Sequence, residues 1–326
     1  MKGRMQQFKY QHPPILFVFT ILIPLLFSAC SSIPREHKLN DFIIVHTTEE
    51  DSPDQLALQY LKHPSEKWRI LDFNQTDSLI PGKDILIPLK PYKLGGISAE
   101  GYQTIPVLAY RELSDEASEL PFEKQMAYLK KNDFQVISLD QLYSFLEFKD
   151  NLHEKSVLLI IDSTDRSIYD HAFPILLKYQ FPAVVFITPD QVGKEKMLSW
   201  RHISRMSENR IQIQCRIQNE LYRFSPDTTF YAYFQKLSKA VEQAAGLMDK
   251  NLNKRSCFFL YPPGNHNSLL VHILQKEGFQ GAFMDQEGDN PFFTDLYGIH
   301  CSQVSRNPDE KKFETLLKVF QKHKIE

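Results

Sequence analysis

Apolar positions divide the chain into a short hydrophobic N-terminal segment, a small amphipathic region and a long region of alternating strand and helix patterns. Residues 15–27 form an apolar run after a basic start that ends at Lys9. The run is shorter than the roughly 20 residues that span a bilayer, and Pro24 interrupts it. This layout is typical of a secretory signal, so we predict a cleaved signal peptide at residues 1–29.

Between residues 41 and 89, the pattern predicts a small unit with the order strand, helix, helix, strand. Apolar runs at 42–45 and 85–88 predict the two strands. Ser52 precedes a proline, and Gln55 follows three residues later, which is the sequence pattern of a capped helix start. A second helix is expected to begin near residue 65.

Residues 104–326 alternate buried strand patterns with helical stretches, which indicates an α/β fold with a mostly parallel sheet or barrel. A helix is predicted from Pro121, and the run at 156–161 is expected to be buried on both faces. The predicted strands are 104–110, 156–161, 182–187, 211–215 and 257–261. Functional groups in such folds lie at the carboxyl ends of strands. This rule selects Asp162, Arg216, residues 262–263 and the surroundings of His300.

Residues 90–103 combine Pro91 with Gly95, Gly96 and Gly101, and are expected to be the linker between the two units. The whole chain has 38 basic and 40 acidic residues, and without its first 29 residues it has 35 basic and 40 acidic ones. Phosphate binding needs a basic surface, so this balance argues against a nucleic-acid partner.

The segment that ends at Cys30 resembles the lipobox of bacterial lipoproteins, which implies that Cys30 carries lipid and anchors the chain to a membrane. Residues 30–40 then form a lipidated tether, and an uncleaved signal anchor with a free Cys30 is the alternative. Ser31 after the cysteine implies sorting to an outer membrane, facing the periplasm, if the cell is Gram-negative. The expected location is therefore the cell envelope.

The other three cysteines, Cys215, Cys257 and Cys301, cannot all pair because their number is odd. They contain no C-x-x-C spacing, which argues against a thiolate zinc site. One disulfide with a remaining thiol is possible in an oxidising envelope. Three buried small apolar side chains are the favoured interpretation.

Residues 41–89 resemble a LysM module in the segment 50–53, in the first-helix core, in Asn74 and in the closing strand. The resemblance implies binding of N-acetylglucosamine-containing glycan, usually peptidoglycan, through two loops. Asp51, Ser52 and Asn74 are the glycan-binding candidates. Glu50 replaces a glycine of the family pattern, and a folded spacer without sugar affinity is the alternative.

Residues 104–326 resemble the polysaccharide deacetylase family, also called the NodB-homology fold, which implies a distorted (β/α)7 barrel. The segment 159–167 lies where the family carries Leu-Thr-Phe-Asp-Asp-Gly-Tyr-Arg-Ser. Segments 172–176 and 181–187, the opening strand near 106–110 and the segment 290–292 also match. Members use a divalent metal such as zinc, held by one Asp and two His, and a second Asp as general base.

The resemblance places Asp162 at the general-base position, but the metal-ligand positions are replaced. The metal-binding Asp is Ser163, and the two His positions are Arg216 and Glu220. An arginine has no lone pair for a cation and stays charged. Arg111 also replaces the His of the family's opening Tyr-His pair. We therefore expect no metal cofactor.

The residue that would supply the oxyanion amide is Pro263, in the run Tyr-Pro-Pro-Gly at 261–264. Proline has no N–H, so this donor is missing. His300 stands where a late catalytic His of the family could lie, although a structural role is favoured. Asp162, Glu220 and His300 could form a rebuilt centre, but the favoured hypothesis is that Arg216 forms an ion pair with Asp162 or Glu220.

Two aromatic-rich stretches, 221–224 and 230–234, could line a sugar groove, but packing in the core or in a loop is favoured. Three functions therefore stay open for this chain. The first is a glycan-binding lipoprotein with a degenerate catalytic centre. The second is an active carbohydrate N-deacetylase with a rebuilt centre, and the third is a scaffold for an active relative or another envelope protein.

Overall fold

A computed structural model describes residues 35–39, 41–90, 96–98, 101–111, 121–225, 227–253, 255–264, 266–305 and 310–322. The predicted signal peptide at 1–29, Cys30 and residues 31–34 and 40 of the predicted tether lie outside the described residues. In the part of the chain that is described, no helix combines the length and the apolar character needed to cross a membrane.

The N-terminal unit has the predicted order of two strands around two helices, with one further strand before them. Its elements are β1 (Glu36–Lys38), β2 (Phe42–His46), α1 (Pro53–Leu56), α2 (Lys67–Phe73) and β3 (Asp84–Pro88). A π-helical turn at Ala57–Leu61 and a 3-10 turn at Pro64–Glu66 join the two helices. The antiparallel sheet has the order β1-β2-β3, and Val45, Ile70 and Ile87 are fully buried between it and the helices.

Strand β1 corrects the prediction that residues 30–40 form only a tether. Glu36–Lys38 pairs antiparallel with β2, and all three of its residues are exposed. An exposed edge strand needs no apolar side chains, so the hydrophobic pattern contains no sign of it.

The C-terminal unit is built on parallel strands with covering helices. Its strands are β4 (Ile97–Ser98), β5 (Gly101–Gln103), β6 (Val107–Tyr110), β7 (Gln135–Ile137), β8 (Ser156–Asp162), β9 (Ala183–Ile187), β10 (Ile211–Cys215), β11 (Phe258–Leu260), β12 (Gly281–Met284), β13 (Ile299–His300), β14 (Ser302–Gln303) and β15 (Phe320–Lys322). Its helices are α3 (Pro121–Lys131), α4 (Leu139–Leu146), α5 (Phe173–Tyr179), α6 (Trp200–Ser207), α7 (Phe230–Leu252), α8 (Ser268–Lys276) and α9 (Glu310–Thr315). Short π or 3-10 turns lie at Ile168–Ala172, Pro189–Gln191 and Asn219–Tyr222.

The large sheet closes on itself. Its strand order is β13-β12-β11-β10-β9-β8-β6-β14, and β7 pairs with the first residues of β8. Strand β13 pairs with β12 and β14 pairs with β6, and only Cys301 separates β13 from β14. The segment from β13 to β14 therefore joins the two edges into a barrel of parallel strands.

Strand β8 is buried along its whole length, as predicted, because both of its faces pack against apolar layers. Leu159 and Ile161 face the layer between the sheet and the helices, whereas Leu158 and Ile160 face the barrel interior. The first strand is shorter than predicted and begins at Val107 instead of residue 104.

The linker prediction for residues 90–103 is wrong at its C-terminal end. Strands β4 and β5 pair with each other, and β15 adds to β5, so this part belongs to the C-terminal unit. Gly96 has a φ of +61°, and a Cβ there would lie 2.4 Å from the Cβ of Gln103. The glycine thus serves a tight hairpin rather than a flexible linker.

The three described cysteines are free thiols. Cys215 and Cys301 are buried, as the favoured interpretation expects, and burial raises the pKa of the Cys215 thiol to about 12. Cys257 is only partly buried, because it precedes β11 and full burial begins at Phe258. The favoured interpretation is therefore correct for two of the three cysteines.

Candidate functional site

Three strands of the barrel bring charged side chains to one end. Asp162 is the last residue of β8, Arg111 directly follows β6, and Arg216 directly follows β10. Because these strands are parallel, their carboxyl ends lie at the same edge of the sheet. The predicted placement of Asp162 and Arg216 at strand ends is confirmed.

Two arginines hold the carboxylate of Asp162. Arg216 Nη1 donates to Asp162 Oδ1 at 2.5 Å, and Arg111 Nε donates to Asp162 Oδ2 at 3.0 Å. The Asp162 side chain is 1% exposed and that of Arg216 is 13% exposed. We call this arrangement of Arg111, Asp162 and Arg216 the arginine clamp. A charged hydrogen bond to each carboxylate oxygen fixes the orientation of Asp162.

Further partners complete the electrostatics of the arginine clamp. Arg111 Nη2 lies 2.9 Å from Oδ2 of Asp285, whose side chain is 12% exposed. Arg216 Nη2 donates to Oδ1 of Asn219. Two guanidinium groups thus face two carboxylates, which balances the buried charge without any added ion.

The clamp leaves Asp162 poorly placed to act as a general base. A general base must come within hydrogen-bond reach of the proton that it removes. Both oxygens of Asp162 already accept a charged donor, and almost none of the side chain is open to water. Proton abstraction from a water molecule would first require the clamp to open.

The three positions that the family resemblance assigns to metal ligands line one open cleft of about 470 Å³. Ser163, Arg216 and Glu220 all lie there, beside Asp162. The Ser163 hydroxyl accepts a hydrogen bond from the backbone N–H of Asp165 at 3.1 Å, and Glu220 is exposed in the turn Asn219–Tyr222. The structure thus brings the predicted degenerate positions together.

The residues around this cleft do not fit a divalent metal. Metal sites of this kind need several oxygen or nitrogen ligands with free lone pairs, and the guanidinium of Arg216 offers none. Across the described ranges, no three His, Cys, Asp or Glu side chains lie close enough to hold an ion. Asp162, Glu220 and His300, the alternative ligand set, therefore do not form such a group.

His300 is built into a different part of the barrel. Its backbone N–H donates to Asn290 Oδ1 at 2.8 Å, and its carbonyl oxygen accepts from Asn290 Nδ2 at 2.9 Å. Its ring packs closely against the backbone of Gly288, where an added Cβ would lie 2.6 Å from the imidazole. These contacts agree with the structural role that the sequence analysis favours for His300.

The segment after β11 contains Pro263, at the position where the family resemblance expects the oxyanion donor. Tyr261 and Pro262 are buried, and Pro263 is exposed. The ring nitrogen of Pro263 bears no hydrogen, so this turn cannot offer the amide that the family pattern has here.

In the N-terminal unit, the predicted glycan-binding side chains all have partners within the unit. Asp51 Oδ2 accepts from the backbone N–H of Thr48 at 2.7 Å, and its other oxygen pairs with Arg35. Burial raises the pKa of the Asp51 carboxyl, but the hydrogen bonds from Thr48 and the charge of Arg35 outweigh this and hold it below its usual value. Asp51 therefore fixes the shape of its loop.

Ser52 and Asn74 have comparable roles. The Ser52 hydroxyl accepts from the backbone N–H of Gln55 at 3.2 Å, and the Gln55 side chain accepts from the Ser52 N–H, which confirms the predicted helix cap. Asn74 donates to the carbonyl oxygens of Ile70 and Leu86, both at 2.7 Å, and accepts from the N–H of Leu86. The side chain of Asn74 thus joins α2 to β3.

Two members of the site were not identified as such from the sequence. Arg111 was noted only as a missing His, and Asp285 was not considered. Both could have been found by the rule that selected Asp162, because each directly follows a barrel strand, β6 or β12.

Comparison with known proteins gives a consistent family signal. Residues 149–282 match the family model described as polysaccharide deacetylase. The chain is 28% identical over 205 residues to poly-beta-1,6-N-acetyl-D-glucosamine N-deacetylase of Staphylococcus epidermidis, covering 60% of this chain and 69% of the relative. It is 23% identical over 215 residues to the putative polysaccharide deacetylase YxkH of Bacillus subtilis, covering 64% of this chain and 74% of that one.

Solved structures show the same fold. The Streptococcus pyogenes deacetylase PplD in complex with acetate aligns with a TM-score of 0.58 at 20% identity, covering 66% of this chain and 98% of that chain. IcaB from Ammonifex degensii aligns with a TM-score of 0.59 at 20% identity, covering 67% of this chain and 97% of that chain. The predicted fold class, a distorted (β/α)7 barrel of the polysaccharide deacetylase type, is confirmed.

Proposed function

We propose that this chain is a glycan-binding protein of the cell envelope that uses the polysaccharide deacetylase fold without metal-dependent deacetylation. The observation that carries the proposal is the arginine clamp, in which Arg111 and Arg216 occupy both oxygens of Asp162. A guanidinium group sits where the family resemblance expects a metal ligand, and it neutralises the carboxylate that the reaction would use.

Two further features support the loss of ordinary deacetylation. Ser163 and Glu220 stand at the other two ligand positions, and Pro263 removes the oxyanion amide. Loss of one oxyanion donor typically lowers the rate by about 10²–10³-fold. Because the metal also supplies the nucleophile in this chemistry, the two losses act on different parts of the same reaction.

The ligand that fits this proposal is an N-acetylglucosamine-containing glycan, such as peptidoglycan or an exopolysaccharide. The Staphylococcus epidermidis relative is named for a poly-beta-1,6-linked N-acetylglucosamine polymer. The N-terminal unit has the strand and helix order of a LysM module, whose usual ligand is peptidoglycan. We therefore assign the chain to the polymer rather than to a free sugar.

The proposed location follows from the sequence before the described residues. Lipid on Cys30 would anchor the chain to a membrane, and the proposed site is the outer membrane, facing the periplasm. The N-terminal unit begins at β1, six residues after Cys30, which would hold it close to the membrane surface.

An active N-deacetylase with an unusual centre is the second candidate, because several similar proteins are named as deacetylases and Asp162 is present. In this case the arginine clamp would open during the reaction, and the metal would be bound by a set other than Asp162, Glu220 and His300 in their present arrangement.

A single preparation of the full chain in detergent distinguishes these functions. Acetate release from beta-1,6-linked N-acetylglucosamine oligomers is measured with added zinc, cobalt or nickel, and retention on insoluble peptidoglycan is measured in parallel. We expect binding to at least one glycan and no acetate release. Metal-dependent acetate release would contradict the proposal, and the absence of both would favour a scaffold.

A further inference from the structure

Three large aromatic side chains near the start of α7 are exposed in the C-terminal unit. Phe224 is 53% exposed, Phe230 is 65% exposed and Tyr231 is 71% exposed. The sequence analysis favours core or loop packing for both aromatic stretches, and that expectation is wrong for the mostly exposed Phe230 and Tyr231. We call Phe224, Phe230 and Tyr231 the aromatic platform.

Buried neighbours hold the aromatic platform in place. Tyr222 and Tyr233 belong to the same two stretches and are 5% and 9% exposed. The Tyr233 hydroxyl donates to the carbonyl oxygen of Tyr222 at 2.9 Å, which joins the start of α7 to the turn Asn219–Tyr222. The rings of Phe224 and Tyr233 meet edge to face at 5.3 Å. These contacts therefore hold in place the backbone that carries the aromatic platform.

The first turn of α7 is fixed in the same way. The Thr229 hydroxyl accepts from the backbone N–H of Ala232 at 3.2 Å and caps the helix. Phe230 and Tyr231 are the two residues that follow this cap. Little conformational entropy would be lost if a ligand packed against them.

The turn Asn219–Tyr222 links the aromatic platform to the cleft beside Asp162. The turn Asn219–Tyr222 lines the cleft with Asn219 and Glu220, and Phe224 follows two residues after this turn. Six of the residues that line the cleft carry uncharged hydroxyl or amide groups, namely Ser163, Thr164, Thr188, Gln191, Gln218 and Asn219. The charged Asp162 and Arg216 are paired with each other, and Glu220 adds an exposed carboxylate to the lining.

This combination matches the chemistry of a neutral polysaccharide. A pyranose ring has an apolar C–H face and a rim of hydroxyl and acetamido groups, so it needs a flat apolar surface beside uncharged polar partners. Aromatic side chains supply such a surface, and they bind flat rings by stacking without strong sequence preference. A membrane surface could bury the aromatic platform, but it would leave the polar groups of the cleft without ligand partners.

We propose that the aromatic platform is a glycan subsite, on which sugar rings stack while their polar groups extend into the cleft beside Asp162. This inference rests on the proposed glycan-binding function and assigns it to a surface of the barrel, separate from the N-terminal unit. It predicts an extended neutral glycan, longer than one sugar, as the ligand.

A local reporter tests the subsite in the full chain. Tyr231→Trp keeps an aromatic ring at the platform, and Phe293→Trp, at a site that is 60% exposed outside the two stretches, is the matched control. The fluorescence of each variant is measured during titration with a beta-1,6-linked N-acetylglucosamine pentamer and, separately, with a chitin pentamer. We expect a blue shift at position 231 and none at position 293.

Affinity provides the second arm of the test. Phe230→Ala combined with Tyr231→Ala should weaken pentamer binding about tenfold, the loss expected when stacking is removed. Phe293→Ala should leave it unchanged. Binding that persists unchanged in the double variant would overturn the platform but not the proposed function.

The remaining outcomes also decide the question. If neither pentamer binds the unmodified chain, the subsite fails, while retention on insoluble peptidoglycan decides the proposed function separately. A blue shift of Trp at position 231 with phosphatidylglycerol vesicles, and none with either pentamer, would overturn the subsite and assign the platform to a membrane surface.

Discussion

Arg111 and Arg216 reach Asp162 from opposite sides. Arg111 follows β6, which pairs with β8, and Arg216 follows β10, which is two strands away from β8 on the other side. Taking these charges out of water is costly, and the mutual attraction of the ion pairs offsets that cost only while all partners are present. The stability of the barrel therefore depends on these paired charges.

Replacing Arg216 by alanine should destabilise the protein. Asp162 would stay buried with one of its two charged donors gone, which typically costs about 1–3 kcal/mol. For a domain of this size, that corresponds to a fall in Tm of roughly 2–4 °C for each kcal/mol. Thermal unfolding followed by circular dichroism measures it.

The matched control for this change is Arg205→Ala, which removes an exposed arginine from the last turn of α6. Its Tm should stay close to that of the unmodified chain. An Arg216→Ala variant with the same Tm as the control would contradict the stabilising role of the clamp.

The pairing of Arg216 with Asp162 could be anticipated from the sequence, since one residue replaces a ligand and the other keeps the general-base position. The choice between Asp162 and Glu220 as partner could not, because it depends on which side chain is buried. The side chain of Asp162 is buried, whereas Glu220 lies exposed in a turn. The part played by Asp285 depends on barrel closure, which no local pattern contains.

At the level of elements, Asn74 connects a helix to a strand in the N-terminal unit. Its side chain satisfies the carbonyl of Ile70 at the end of α2 and both backbone groups of Leu86 in β3. The role that the sequence suggested for Asn74, contact with sugar, would compete with these three hydrogen bonds. A ligand of this unit would therefore meet backbone groups or other side chains first.

Asn74→Ala should lower the free energy of unfolding of the N-terminal unit by about 2 kcal/mol, because three hydrogen bonds are lost. Urea unfolding can be followed by the fluorescence of Trp68 in a Trp200→Phe background. Gln59→Ala, an exposed change in the same unit, should stay within about 0.5 kcal/mol of the background. Equal stability of the two variants would show that Asn74 does not join α2 to β3.

Strands β1 and β15, which the sequence does not predict, are largely exposed and so carry no buried apolar pattern. The partner of β5 is β15, more than 200 residues further along the chain, and β1 is a wholly exposed edge strand. Local hydrophobic patterns report burial and periodicity but not pairing over long separations. By contrast, the limits of β10 agree with the prediction, because apolar residues alternate with glutamines along Ile211–Cys215, and this alternation is the local pattern of a strand.

At the scale of the whole molecule, the barrel and its polar cleft can form without the catalytic groups that such barrels can carry. The fold depends on apolar layers on both sides of the strands, and those layers are complete here. The cleft has hydroxyl and amide groups, and the turn Asn219–Tyr222 links it to the aromatic platform. On our proposal, a binding surface remains on the barrel without the metal-dependent reaction.

The metal content of the full chain, purified without chelators and measured by mass spectrometry, tests the central claim most directly. Our account predicts far less than one equivalent of zinc, cobalt, nickel, manganese or iron for each chain, and no rise in Tm when these ions are added. A metal ion that binds only the folded state raises the Tm, and it does so more when it binds more tightly, so the metal content and the Tm check each other. One equivalent of tightly held metal, with a higher Tm in its presence, would contradict the proposal that the arginine clamp has taken the place of the metal.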